Sequence, residues 1–143
     1  MKKEIIGYTT GVYDLFHVGH LNILKNAKKH CDKLIVGVST DEVVIKNKKK
    51  TPIIPFNDRV SIVEAIKYVD KVVPQEDYSI EYKIKRIQEL KVDVLFVGSD
   101  WKGTDKWNKL EKNLDAIGVK VIYLPHTDGV STTELLEKIS KNK

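Results

Sequence analysis

His17 and His20 stand three positions apart with Gly19 between them, directly behind the run Thr10-Gly11-Val12-Tyr13-Asp14. If a helix opens near Val18, both imidazoles project from its first turn on adjacent faces. A helix start offers free N–H groups and the positive end of the dipole, so it favours an anion. Gly19 removes a side chain where phosphate oxygens would come closest. Two imidazoles so placed can donate hydrogen bonds to phosphoryl oxygens as charge builds in a transition state. The plainer alternative is that one histidine caps the helix while the other packs. Zinc is the other competitor for such a pair, but no cysteine or third histidine stands at zinc spacing, so no metal ligands are assigned.

Further polar clusters follow later apolar runs. They are Gly98-Ser99-Asp100-Trp101-Lys102-Gly103 and His126-Thr127-Asp128-Gly129. Ser131-Thr132-Thr133-Glu134 then has the spacing of a capping box, a helix start that can also present hydroxyls to a phosphate. Lysines crowd residues 46–51; such a run is either a solvated surface or a phosphate-binding loop. No G-x-G-x-x-G follows the first strand, and neither a P-loop nor a nucleophile elbow occurs.

These clusters need a frame. Strands are expected over 4–8, 33–38, 71–73, 92–97 and 119–124, with Pro74 and Pro125 as stops. Helices are expected from about 18, from 57, over 80–90, over 107–117 with Gly118 behind it, and from 131. The alternation implies a Rossmann-like α/β fold, an open five-stranded parallel sheet with helices on both faces. Ligands of such sheets sit beyond the carboxyl ends of strands where strand order reverses. The unusual residues do collect after the first, fourth and fifth strands.

The chain has 143 residues, is 41% hydrophobic and 31% charged, and carries a net charge of +5. This fits one domain over residues 1–143 and a small anionic partner better than nucleic acid, for which no docking motif is present. No apolar run approaches the roughly 18 residues of a membrane span. One cysteine, Cys31, allows no internal disulfide. A cytoplasmic protein is expected, with no membrane association.

The run from Gly11 to His20, Gly-Val-Tyr-Asp-Leu-Phe-His-Val-Gly-His, resembles the first signature of the cytidylyltransferase family within the nucleotidyltransferase superfamily. Residues 127–133 resemble its second, R-T-E-G-I-S-T-T, and the likeness extends from Ile5 to Ile139. Together with residues 98–103, it runs most strongly toward bacterial members that act on glycerol 3-phosphate. The resemblance implies transfer of CMP from CTP to an alcohol phosphate, first of all glycerol 3-phosphate, with release of pyrophosphate. It also implies Mg²⁺ with the triphosphate, and a homodimer.

By the same resemblance His17 and His20 hold the triphosphate and stabilise the reacting phosphorus. Lys48 and Lys50 bind phosphates, with Lys46 or Lys49 able to replace either. Gly11, Val12, Tyr13, Gly19, Asp100, Trp101, His126, Thr127, Ser131, Thr132 and Thr133 surround the nucleotide. Arg59 either orders a loop, neutralises phosphate or lies on the surface. Asp14 and Lys83 meet the acceptor. Trp101 borders the cytosine or lids the core. His126 departs from the family's arginine, exchanging a permanent forked cation for a partly charged ring.

Other acceptors stay open: a different polyol phosphate, phosphoethanolamine, or phosphocholine in an aromatic cage of Tyr78, Tyr82 and Trp107. An adenylyltransferase for a sugar phosphate is a further alternative. A nucleotide-binding module without turnover is the alternative from another class.

Overall fold

Five short aliphatic runs form parallel strands β1 (Ile6–Gly11), β2 (Lys33–Ser39), β3 (Lys71–Gln75), β4 (Val94–Gly98) and β5 (Lys120–Leu124), in the order β3-β2-β1-β4-β5. The computed structural model describes residues 3–142. Helices α1 (Val18–Lys28), α2 (Asp41–Lys48), α3 (Phe56–Glu64), α4 (Ile80–Glu89), α5 (Asp105–Ala116) and α6 (Thr132–Lys141) complete it, with one 3₁₀ turn at Ser99–Trp101. Strand order reverses between β1 and β4, so the crevice predicted for a ligand opens beyond their carboxyl ends.

The central strands are apolar on both faces because helices cover both. On one face Tyr8, Ile35, Val73, Leu95 and Val97 pack with Ile87 of α4 and Leu110 and Leu114 of α5. On the other, Leu34, Val36, Val38, Val94 and Phe96 pack with Leu24 and Ala27 of α1 and Val63 of α3. At the amino ends of the strands three aspartates accept otherwise free N–H groups: Asp32 from Ile5, Asp70 from Leu34 and Asp93 from Ile6.

Several boundaries differ from the sequence reading. β1 runs on to Gly11, which brings the first signature to the strand end. Pro74 does not stop β3 but lies inside it. β3 is an edge strand, where a missing N–H need not break a ladder. The lysine run is not a simple loop, since α2 ends at Lys48 and only Lys49 and Lys50 lie beyond it. Thr40 caps that helix by accepting from the Val43 N–H, and Asp41 and Glu42 suit the positive end of its dipole.

Candidate active site

The β1–α1 connection carries backbone strain. Tyr13 and Leu15 have φ of +57° and +49°, a left-handed conformation that costs a non-glycine residue about 1–2 kcal/mol. Tertiary contacts hold it there. Arg59 donates from Nη1 to the Val12 carbonyl at 2.8 Å, and Thr132 donates from Oγ1 to the Asp14 carbonyl at 2.9 Å. The Asp14 carboxylate accepts from the Ile53 and Ile54 N–H groups at 2.8 and 2.9 Å. Asp14 therefore lines the cavity while its carboxylate also holds the segment behind the lysines.

His17 is the N-cap of α1. Its Nδ1 accepts from the Gly19 N–H at 3.0 Å, and His20 Nδ1 accepts from the His17 N–H at 3.2 Å. Both halves of the plain alternative thus occur, capping and packing, and each leaves one ring edge free. A ring accepting at Nδ1 carries its proton on Nε2, so each histidine has one N–H donor on its free edge. The rings stack with centroids 3.9 Å apart. Burial lowers the pKa of both; that of His20 falls to about 4, with the neighbouring His17 adding to the effect. At neutral pH the pair are uncharged donors.

Gly19 serves these rings. A Cβ there would lie 2.8 Å from His17 Cε1 and 3.4 Å from Val130 Cγ1. The room expected for phosphate oxygens is filled by His17.

A cavity of about 570 Å³ lies at the strand-order reversal and straddles the end of the sheet. One lobe is lined by Gly11, Val12, Tyr13, His20, His126, Thr132 and Thr133. There the N-termini of α1 and α6 converge, a setting that favours an anion. Ser131 caps α6 by accepting from the Glu134 N–H at 3.0 Å. The other lobe is lined by Ser39, Gln75, Tyr78, Lys83, Lys106 and Trp107. Lys48 and Lys50 also line the cavity, as does Trp101, which is 55% exposed and so is no core lid. Burial, with the charge of Lys50, lowers the Lys48 pKa.

Other expected residues lie elsewhere. Arg59 is 0% exposed. It donates to the Ile54, Val12 and Ser39 carbonyls and pairs with Asp41 at 2.5 Å. With those donors committed it cannot neutralise a phosphate, so of the three readings only loop ordering survives. Thr127 accepts from Asn22 Nδ2 at 2.8 Å and ties the segment before α6 to α1. His126 lies 3.5 Å from the Asp128 carboxylate. The Asp100 side chain lies outside the described residues.

Only two members of the expected aromatic cage, Tyr78 and Trp107, come together, and a lysine already lies over them. Lys83 Nζ lies 5.9 Å from the centre of the Tyr78 ring and 5.7 Å from that of Trp107. Tyr82 instead bonds the Glu76 N–H and Arg86. Lys83 is 8% exposed, and burial, with the charge of Lys106, lowers its pKa to about 8.

Sequence reasoning missed Ser39, Gln75 and Lys106. The available signal was a Ser-Thr pair closing a buried strand, and a lone polar residue behind an edge proline.

Comparisons with known proteins agree with this geometry. The family model described as cytidylyltransferase-like matches residues 8–138. The glycerol-3-phosphate cytidylyltransferase of Bacillus spizizenii is 42% identical over 135 residues, covering 94% of this chain and 95% of that protein. The FAD synthase of Pyrococcus abyssi is 40% identical, over 92% of this chain and 89% of the relative. A lipopolysaccharide core biosynthesis protein from Thermoplasma volcanium superposes with a TM-score of 0.70 at 29% identity, covering 87% of this chain and 98% of that one.

Proposed function

Because the chain belongs to the cytidylyltransferase-like family, we propose that it transfers CMP from CTP to glycerol 3-phosphate and releases pyrophosphate. The observation that carries the acceptor is the lysine over these two rings. A lysine cation already lies over Tyr78 and Trp107, which supports an anionic acceptor and opposes a choline headgroup. The similarity to the Bacillus spizizenii enzyme supports the same acceptor.

The acceptor phosphate attacks the α-phosphorus in line, with no covalent enzyme intermediate, so catalysis consists of positioning and charge stabilisation. The triphosphate lies against the starts of α1 and α6. The Nε2–H groups of His17 and His20 meet the oxygens on which charge grows, and as neutral donors they need no proton exchange with solvent. Lys48 and Lys50, on the cavity wall, hold the phosphates of both substrates, while Lys83 holds the acceptor. A magnesium ion, if bound with the triphosphate, would supply neutralisation of its charge. Among the described residues no group of three His, Cys, Asp or Glu is placed to hold a metal, so the ion would enter with the nucleotide.

The test is pyrophosphate release with CTP and glycerol 3-phosphate, beside ATP and beside phosphocholine. Release that requires both CTP and glycerol 3-phosphate is expected. Release with ATP instead would favour the chemistry of the FAD synthase relative, whose named product is an adenine dinucleotide. Binding of CTP without release in any mixture would favour a module that has lost turnover. A homodimer belongs to the same reading and is checked by light scattering. So does a place ahead of a polymerase that consumes CDP-alcohols, as in teichoic-acid-like or capsular polymers. No helix among the described residues is long and apolar enough to cross a membrane.

A further inference from the structure

We propose that a buried polar chain, Tyr78–Ser39–Gln75, reads the hydroxyl groups of the acceptor, making the second lobe a site for polyol phosphates. The proposal rests on the cytidylyl-transfer reading above and deepens it.

Ser39 and Gln75 are 1% and 2% exposed, yet both line the cavity. Tyr78 Oη donates to Ser39 Oγ at 2.9 Å, and Ser39 Oγ donates to Gln75 Oε1 at 3.0 Å. The chain runs one way. Each hydroxyl proton is spent on the next acceptor, which fixes the Gln75 carboxamide with its oxygen toward Ser39. Its two N–H donors make no hydrogen bond among the described residues, and Gln75 lines the cavity, so they are reached from it rather than sealed inside the protein. Fixed amide donors that open on a cavity are positioned to meet the acceptor oxygens of a ligand.

Tyr8 adds a second polar group to this wall. Its hydroxyl lies over Gly37, where a Cβ would stand 2.6 Å from it. Ser39 is two residues further on the same face of β2. Glycine at 37 is what lets the phenol reach that far along the sheet.

Tyr78 ties this wall to the cations. Its ring faces Lys83, and its carbonyl accepts from Lys106 Nζ at 3.2 Å. A ligand that puts a phosphate dianion toward the two lysines brings hydroxyls a few bonds away to Gln75 and Tyr8. Phosphocholine or phosphoethanolamine would present a cation to the same donors and lysines, and both would repel it.

The experiment compares glycerol 3-phosphate with propyl phosphate, which keeps the phosphate and lacks both hydroxyls. Wild-type enzyme should prefer glycerol 3-phosphate by about 100-fold in kcat/KM. Gln75→Met should bring the two within about 5-fold by raising the KM for glycerol 3-phosphate, leaving propyl phosphate turnover, the KM for CTP and the CTP-to-dCTP ratio unchanged. Tyr78→Phe keeps the ring over Lys83, so it should show a smaller loss of the same sign even if Gln75→Met folds poorly. An unchanged preference in both variants, or an equal loss on both acceptors, would make the chain structural and overturn the proposal. A shift in the CTP-to-dCTP ratio would assign it to the ribose and overturn it equally. Wild-type enzyme silent with CTP and glycerol 3-phosphate would defeat the parent reading, and this one with it.

Discussion

His17 does two jobs with one ring, and they can be separated. Nδ1 caps α1 while Nε2–H remains as a donor. Asparagine is among the best N-caps but has no imidazole edge, and alanine supplies neither function. His17→Asn should keep the melting temperature near wild type and lose about 10²–10³ in kcat, the scale of losing one oxyanion donor. His17→Ala should lose a similar factor in rate and about 1 kcal/mol of stability besides. Equal melting temperatures for the two variants would remove the cap from the account. Lys83 gives a second test at this scale. Its pKa of about 8 lies below the usual lysine range, so its ammonium is half present near pH 8 and is lost as the pH rises further. The KM for the acceptor should therefore climb toward tenfold per unit above pH 8, while the KM for CTP follows no such course. Because the unfolded chain keeps this proton up to about 10.5, the group's contribution to stability rises between 8 and 10.5. His20 behaves likewise at lower pH: its contribution to stability falls as pH drops from 6.5 toward 4.

At the scale of elements, α1 depends on Gly19. Gly19→Ala would ordinarily favour a helix by about 1 kcal/mol, but here the new methyl collides with the His17 ring. We expect the variant to fold with α1 intact and to lose turnover through displaced imidazoles, measurable as an altered His17 ring signal by NMR alongside kcat. The strands, most helices and the first signature were legible in the sequence because continuous apolar runs and a histidine pair after a strand are local patterns. The second helix was not, since only Val43 and Val44 of its residues are buried and its last turn is lysine-rich. Its Thr40-Asp41-Glu42 opening was a readable start signal that the charge run obscured. Pro74 hid Gln75 in the same way, because its tolerance depends on β3 being an edge. The burial of Arg59 and Lys83 could not be read at all: a cation goes inside only when distant segments supply its partners, and those partners are not sequence neighbours.

Across the whole molecule, Arg59 joins four segments, namely the turn after β1, the end of β2, the start of α2 and the stretch before α3. Arg59→Met would leave Asp41 and three carbonyls without their donor, costing about 3–5 kcal/mol. The melting temperature should fall by roughly 10 °C, and CTP should restore part of that by mass action. A fall of only a degree or two would contradict the assignment of Arg59 as an internal tie. The helix α6 is built the opposite way. None of its residues is buried, and its start is held by Thr132 on the Asp14 carbonyl and, just before it, by Thr127 with Asn22. Yet Thr132 and Thr133 line the cavity. Part of the proposed triphosphate site is thus carried by the element with least to lose on melting. Mild urea should act on such a protein as an inhibitor before it acts as a denaturant: turnover should decline while the sheet's circular dichroism is still native, and saturating CTP should move the two transitions together.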